Sequence, residues 1–501
     1  MKVSHSKSRH APPRAAAMIE ALRGLGYSTA TALADVIDNS ITARADSIEI
    51  GFIWSNKASA ITILDDGGGM DAEELDRAMR LGEKNPLDER ATHDLGRFGL
   101  GLKTASFSQC RRLTVASVRD GKRTCLRWDL DLLAAGNGDG WYMFEGPADG
   151  SEKFLDLLDG RTHGTLVIWE KLDRIVTSGF NEQDFLDLID RVDRHLAMVF
   201  HRFLATPTPS FKLRINNRAV TAWDPFLIAN PATWSSPVER TFPGGQILEV
   251  QCFVLPHKDR LETKEHDSAA GPDGWTSQQG FYVYRNKRLL VAGSWLGLGR
   301  GRSWTKEESH RLARIRLDIT NSADADWKID IRKSTARPPV SVREKLTRLA
   351  EDTRARARRV FAHRGQAIKT LSGAPLIQAW HAEHFVGGIR YRITRDHPAV
   401  RAVLDDADSL SPQILAMLRV LEETIPVQRI WLDTAEAKET PRIGFGGETP
   451  EAVSSILTVM YRNLVLRKHL SPEEARARLL CTEPFNGYSE LVASLPDDPS
   501  A

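Results

Sequence analysis

Between Ser28 and Ala43 apolar residues recur at Ala30, Leu33, Ala34, Ile37 and Ile41, the spacing of a helix packed on one side, with Ser28 placed to cap it. From Ser47 to Ile53 polar and apolar positions alternate, and Ala60 to Leu64 is a β-branched run ending in Asp65. Both read as strands. Asp71 followed three residues later by Glu74 predicts a capped helix start. Gly82 to Phe98 is polar and aperiodic, so it reads as a long loop of the kind that often forms a lid. It runs into glycines that open a helix through Lys103 to Phe107. His163 to Trp169 begins with a glycine and a threonine and continues as a β-branched strand, and Asn181 to Leu204 is helical. Beyond it lie alternating strands, with Asn216-Asn217 and Arg285-Asn286 placed as hairpin turns. After Pro338-Pro339, Ser341 and Glu344 suggest a second capping box, opening a charged helix from Ser341 to His363. From about residue 370 onward the composition stays globular, without a catalytic signature.

Chemistry-bearing residues concentrate in three ordered segments: Asp35 to Ser40, Asp65 to Met70, and Gly96 to Lys103. Asp35 and Asn39 are four apart on a helix, so they share a face, where a carboxylate and an amide oxygen could hold a water and a magnesium ion. Asp38 points elsewhere. Asp65, at the end of a buried strand, is placed to accept from an amino group, and Gly67 and Gly69 permit close backbone approach beside Met70. Gly96, Gly99, Leu100 and Gly101 lead into a helix N-terminus whose N–H groups and dipole suit phosphate, with Lys103 adding a full charge.

These segments, with His163-Gly164-Thr165 as a fourth, resemble the GHKL ATPases. That group contains type II topoisomerases, mismatch-repair MutL, the ninety-kilodalton heat-shock chaperone, histidine kinases and MORC proteins. The resemblance implies an α/β fold (α+β): a Bergerat-type α/β sandwich, then an α/β transducer of the ribosomal S5 type, then a mainly helical C-terminal region. It implies ATP and Mg2+ as ligands. Asn39 stands for the magnesium asparagine, Asp65 for the adenine aspartate, Gly67, Gly69 and Met70 for its supporting turn, and Gly96, Gly99, Leu100, Gly101, Lys103 and Thr165 for further nucleotide contacts. Asp35 stands where the family's general base is usually a glutamate, and Thr42 where an aspartate is common. Shortening a base by one carbon moves the carboxylate by roughly 1 Å, which can cost about a hundredfold in rate, so slow hydrolysis is expected. Lys333, with Lys328 as second choice, stands for the transducer lysine that reaches the γ-phosphate.

The segments 211–217 and 280–290 resemble the second domain of MORC-like and MutL-like proteins, and only some 27 residues precede the first motif helix, too few for a kinase dimerisation segment. The closest likeness is to prokaryotic MORC-like ATPases. It implies an ATP-dependent homodimer closing as a clamp on DNA or a protein client, with a separate effector subunit as a further partner. Two alternatives remain open: an ATP-gated binding or sensor module without significant turnover, and a chaperone-like client remodeller. The expected domains are an N-terminal arm (1–27), a GHKL domain (28–204), a transducer (205–340) and a C-terminal region (341–501).

Composition narrows this picture. The 501 residues suit two or three domains, and 41% hydrophobic content suits a globular chain. Arg354, Arg356, Arg358, Arg359 and Arg364 form a basic cluster suited to nucleic-acid phosphates, but 68 basic against 66 acidic residues leave a formal charge of +2, so the chain is no polycation. Four cysteines, Cys110, Cys125, Cys252 and Cys481, have neither metal-ligand spacing nor disulfide density. With no apolar leader segment and no run of about 18 apolar residues, the expectation is a cytoplasmic protein that does not contact membranes.

Overall fold

A computed structural model describes residues 13–83, 101–135, 140–205, 211–241, 247–320, 326–330, 335–362, 377–385, 388–430 and 450–497. The chain divides into two compact units, Met1–Arg364 and Gly365–Ala501. In the first, α1 (Ala15–Arg23) and α2 (Thr29–Thr42) precede β1 (Ser47–Ile53) and β2 (Ala60–Asp65), followed by α3 (Ala72–Met79) and α4 (Gly101–Phe107). Next come β3 (Arg112–Arg119), β4 (Lys122–Asp129), α5 (Leu130–Ala135), β5 (Phe144–Glu145) and β6 (Gly164–Glu170). The helices α6 (Glu182–Val199) and α7 (His201–Leu204) lead to β7 (Lys212–Ile215) and β8 (Arg218–Ala219). The strands order as β5-β4-β3-β6-β2-β1-β7-β8 in one sheet. It is antiparallel except where β7 runs parallel to β1.

This sheet extends past residue 204, where the first domain was expected to end. Asn216 and Asn217 turn the β7–β8 hairpin with φ of 47° and 65°, the positive values a type I′ turn needs. Asn216 also pins the hairpin to β1, accepting from the Phe52 amide at 2.7 Å. One face of the sheet is covered by α1, α2, α4 and α6 around Leu33, Ile37, Ile63, Phe107, Val115 and Leu196. The other carries a smaller core in which Leu155 and Leu158 cover Leu64, Val118, Leu166 and Ile168. β2 is therefore buried along its whole length, as its unbroken β-branched run requires.

The second sheet takes β9 (Trp234–Ser235), β10 (Glu239–Thr241) and β11 (Leu248–Val254), then, after the short α8 (Thr263–Ala269), β12 (Gly280–Arg285), β13 (Arg288–Ser294) and β14 (Ala313–Ile319). Its order is β10-β11-β14-β12-β13, with β9 also paired to β11. The β12–β13 turn residues with positive φ are Asn286 and Lys287, one position beyond the expected Arg285-Asn286. Helix α9 (Val340–Ala362) packs across β11 and β14 through Val342, Leu346, Ala350 and Ala357. It begins one residue before Ser341, which therefore sits inside the first turn. Phe253, Tyr282, Tyr284 and Leu289 of the second sheet join the core of the first, while its other face packs with α9 in a separate core.

Two histidines sit at the core of the first sheet, His201 buried and His195 partly so. His201 faces the Tyr284 hydroxyl at 2.8 Å, and burial, then the charge of Arg202, pushes its pKa down to about 3; burial and Arg288 push His195 down to about 4. A base whose folded pKa lies below its unfolded value of about 6.5 takes up protons preferentially in the unfolded state, so stability is full above pH 6.5 and is lost as pH falls below it. Between pH 6.5 and 5 His201 alone should remove about 2 kcal/mol. A Tm series from pH 8 to 5 should be flat above 6.5 and descend below it; a flat series throughout would contradict this.

The second unit holds the hairpin β15 (Trp380–Phe385) and β16 (Gly388–Ile393), then α10 (Pro398–Asp406), α11 (Ser411–Glu423), α12 (Pro450–Arg462), α13 (Pro472–Leu480) and α14 (Ser489–Ala493). It is mainly helical, with a core around Leu457, Tyr461, Leu479, Phe485 and Val492. The Glu422 carboxylate is buried against Arg392 and Arg395 at 3.2 and 3.0 Å. No helix among the described residues is long and apolar enough to cross a membrane.

Candidate nucleotide site

Helix α2 starts as its sequence directs: the Ser28 hydroxyl accepts from the Thr31 amide, and Thr31 returns a bond to the Ser28 amide. Its burial is not one-sided, as the apolar spacing predicted. Residues 32–38 are all buried, and Asn39 is the one exposed position of the helix. Helices α4 and α6 pack against it and Asp38 is paired with Arg288 of the second sheet, which leaves Asn39 as its window to solvent. Asn39 Nδ2 donates back to the Asp35 carbonyl at 3.1 Å, which turns Oδ1 away from the helix.

Asp65 closes one end of the window. Its Oδ2 accepts from the Ser40 hydroxyl at 2.7 Å, and Oδ1 accepts from the amides of Gly67 and Thr165 at 3.0 and 3.2 Å. Burial raises its pKa above the ordinary carboxylate value; the three donors oppose the rise, and neighbouring Asp66 adds to it. Three donors on a buried carboxylate offset a desolvation that would otherwise be costly. The turn after Asp65 is held by Asp66, whose Oδ1 takes the amides of Asp46 and Ser47, both at 2.8 Å. At Gly69, φ is +66° and a Cβ would lie 1.9 Å from the Val118 carbonyl oxygen, so no other residue fits this approach to β3. Gly164 has φ of +135°, and a Cβ there would meet the Asp65 carbonyl oxygen at 2.6 Å. Ser117 ties these pieces together: its hydroxyl accepts from the Met70 amide at 2.8 Å and lies 3.0 Å from both the Gly164 carbonyl and the Thr165 hydroxyl.

Asp35 closes the other end. Its Oδ2 accepts from the Tyr27 hydroxyl at 2.9 Å, and an atom at the Cβ position of Gly101 would lie 4.0 Å from that oxygen. The start of α4 therefore faces Asp35. Burial, then the Asp35 charge, raises the Tyr27 phenol's pKa, with a smaller contribution from Asp330. Asp330 belongs to the second-sheet domain, so its segment reaches this end of the site. Lys328, two residues before it, is exposed with φ of 48°. The Arg337 amide donates to the Trp327 carbonyl and the Thr335 amide to Asp330 Oδ1, at 2.7 and 2.9 Å, which pins both ends of the 327–337 stretch. Lys333, Gly96, Gly99 and Leu100 lie outside the described residues, as does most of the expected 82–98 loop. Lys103 is described: it is buried, and Nζ donates to the Ala78 carbonyl at 2.8 Å, at the end of α3.

Among the described residues, then, the fold brings Asp35, Asn39, Asp65, Gly67, Gly69, Met70, Gly101 and Thr165 to one region. Residues 27–165 match the family model described as histidine kinase-, DNA gyrase B-, and HSP90-like ATPase. This part of the chain is a GHKL ATPase domain. The ATPase morc-1 of Caenorhabditis elegans is 32% identical to the chain over 96 residues, which is 19% of this chain and 11% of that protein. The chain thus matches a small part of that relative's length.

Sequence reasoning missed Tyr27, Ser40 and Ser117. Ser40 lay within the first motif, directly after Asn39, and its seven-residue rise above Leu33 places it on a buried face. Tyr27 precedes the helix cap and carries no periodic signal. Ser117 is an ordinary strand residue whose role exists only because β3 pairs with β6. Asp38 was expected to point away from the site and does, ion-pairing with Arg288 of β13 at 2.7 Å.

Proposed function

We propose that this chain is a MORC-like ATPase that binds Mg-ATP, hydrolyses it slowly, and closes as a homodimeric clamp on DNA or a protein client. The observation that carries the reading is that one helix serves both ends of the site. Ser40 of α2 orients Asp65, Asp35 of α2 faces the start of α4, and Asn39, the helix's exposed residue, stands between them. Asp65 would accept from the adenine amino group beside the Gly67–Met70 turn, and the α4 N-terminus would meet phosphate oxygens with its amides. Asn39 Oδ1 is a hard oxygen donor of the kind magnesium takes, and phosphate oxygens would supply the rest of the ion's shell. Bound there, the ion would neutralise phosphate charge. Asp35, held by the Tyr27 hydroxyl, would orient the attacking water. The 327–337 stretch, carrying Lys328 and Lys333, is the route by which the second domain would sense the γ-phosphate. A separate effector subunit is the natural place for any cleavage chemistry.

The test is Mg-dependent ATP turnover by the purified chain, with and without DNA, beside size-exclusion chromatography with a nonhydrolysable ATP analogue. DNA-stimulated turnover with dimerisation supports the clamp, and dimerisation without turnover supports an ATP-gated module. No response to nucleotide in either assay rejects both. In the same assay Asp35→Glu should raise turnover, because it restores the missing methylene of reach. Asp35→Asn should lower turnover about a hundredfold and leave analogue binding intact. Equal rates for all three proteins would remove Asp35 from the chemistry.

A further inference from the structure

The basic cluster of α9 does not form one solvated face. Arg356 lies over the Trp234 ring, 4.0 Å from its centroid. Arg354 turns another way and is 8% exposed, with its guanidinium carbon 4.7 Å from the centroid of Trp295 and 4.8 Å from that of Trp304. Arg358 and Arg359, one turn further along, are exposed. Together with Trp304, His310 and Glu351, these three arginines line a cavity of about 490 Å³ within the first unit.

Two features of this cavity point to a missing acceptor. The tryptophan faces attract the cation through their ring quadrupoles, but guanidinium N–H donors lie in the guanidinium plane, and the rings offer them nothing. Arg354 Nη1 is buried and has no hydrogen-bond partner, an arrangement that native interiors avoid. The one carboxylate of the lining, Glu351, is engaged by Arg300 at 2.7 Å. Glu307, half exposed, sits 3.5 Å from His310 Nδ1, and no ion pair joins Arg354, Arg358 or Arg359 to a carboxylate among the described residues. Burial, then the charges of Arg354 and Arg358, pushes the pKa of His310 down to about 4. Its ring is therefore neutral at pH 7 and adds a polar nitrogen without a further charge.

We infer that this cavity is an oxyanion site that takes a phosphate group, separate from the nucleotide site. Arg354 is a fixed donor whose orientation the two tryptophans set before any ligand arrives, and Arg358 and Arg359 are longer-reaching partners at the mouth. Guanidinium edges match phosphate oxygens in pairs, and three cations beside a lining carboxylate, Glu351, that Arg300 already engages favour a multiply charged anion over a single carboxylate. The phosphate can come from a small phosphate ester or from a nucleic-acid backbone. The inference does not depend on how the nucleotide site works.

The experiment is calorimetric titration of the full chain with inorganic phosphate, then with a single-stranded oligonucleotide, for the parent and for Arg358→Glu/Arg359→Glu. Both substituted positions are exposed and lie outside the nucleotide site. The parent should bind phosphate, and the double variant should bind it at least tenfold more weakly at unchanged Tm. Arg354→Lys, which keeps the charge and loses the planar fork, should weaken binding similarly, with its Tm measured alongside. Phosphate that competes with the oligonucleotide identifies nucleic acid as the source; phosphate binding without oligonucleotide binding identifies a small ester. No phosphate or oligonucleotide binding by the parent, or equal binding by the parent and the double variant, overturns the site.

Discussion

Replacing Arg288 by alanine is expected to lower the melting temperature of the first unit by roughly five degrees. Arg288 Nε donates to Asp38 Oδ1 at 2.7 Å, and the two side chains are 5% and 2% exposed. The guanidinium also lies 4.7 Å from the centre of the Phe200 ring. Removing it leaves a buried carboxylate without its cation, a change that typically costs about 3–5 kcal/mol. In a unit of this size each kcal/mol moves Tm by about 1–2 °C. Thermal melting of the single variant checks the loss. The double variant Asp38→Leu/Arg288→Met should recover most of it, since both charges of the pair are then removed together. A single variant that melts with the parent would mean that the pair is not buried as described. Asp38 immediately precedes Asn39, so the pair also fixes the turn of α2 that carries Asn39 against β13 of the second domain.

Asp65→Asn should weaken ATP binding about tenfold to a hundredfold, the loss of one charge-assisted hydrogen bond at about 1.5–3 kcal/mol, while the protein stays folded. The variant is close to isosteric. Its amide oxygen can still accept from Gly67 and Thr165, and its NH2 can donate to Ser40, whose hydroxyl reverses its role. It also loses a buried charge that the site holds at some cost, the same burial that raises the Asp65 pKa. Tm should therefore be equal to or above the parent's. Calorimetry with a nonhydrolysable analogue measures the affinity, and a melt measures the fold. Parental affinity in this variant would remove Asp65 from base recognition.

Much of the candidate site is legible in the sequence. Asp35, Asn39, Asp65, Gly67 and Gly69 carry local signals: helical spacing, a strand end, and a turn that tolerates only glycine where φ is positive. These signals act over a few residues, so a linear reading reaches them. The basic helix shows where such reading stops. Its arginines look alike in sequence, yet Arg354 is buried between two tryptophans and Arg356 lies on a third. Partners 50 to 122 residues away make that difference. Lys103 likewise meets a carbonyl of α3, a partner 25 residues earlier that no local pattern announces.

What the sequence by itself determined is the order of elements, the helix that carries Asp35 and Asn39, and the type of chemistry those residues can do. Helix caps, β-branched runs and turn glycines are short-range effects written in adjacent residues. Only the tertiary structure decided that Ser40 and Thr165 would complete the shell of Asp65 across separate elements. It alone decided that Tyr27 would hold Asp35, that the first sheet would continue through β7 and β8, and that Asp38 would be joined to Arg288 250 residues away. Those outcomes depend on which surfaces are buried against each other. Burial is a property of the whole packed chain, because each buried polar group must find its partner wherever the fold has brought one.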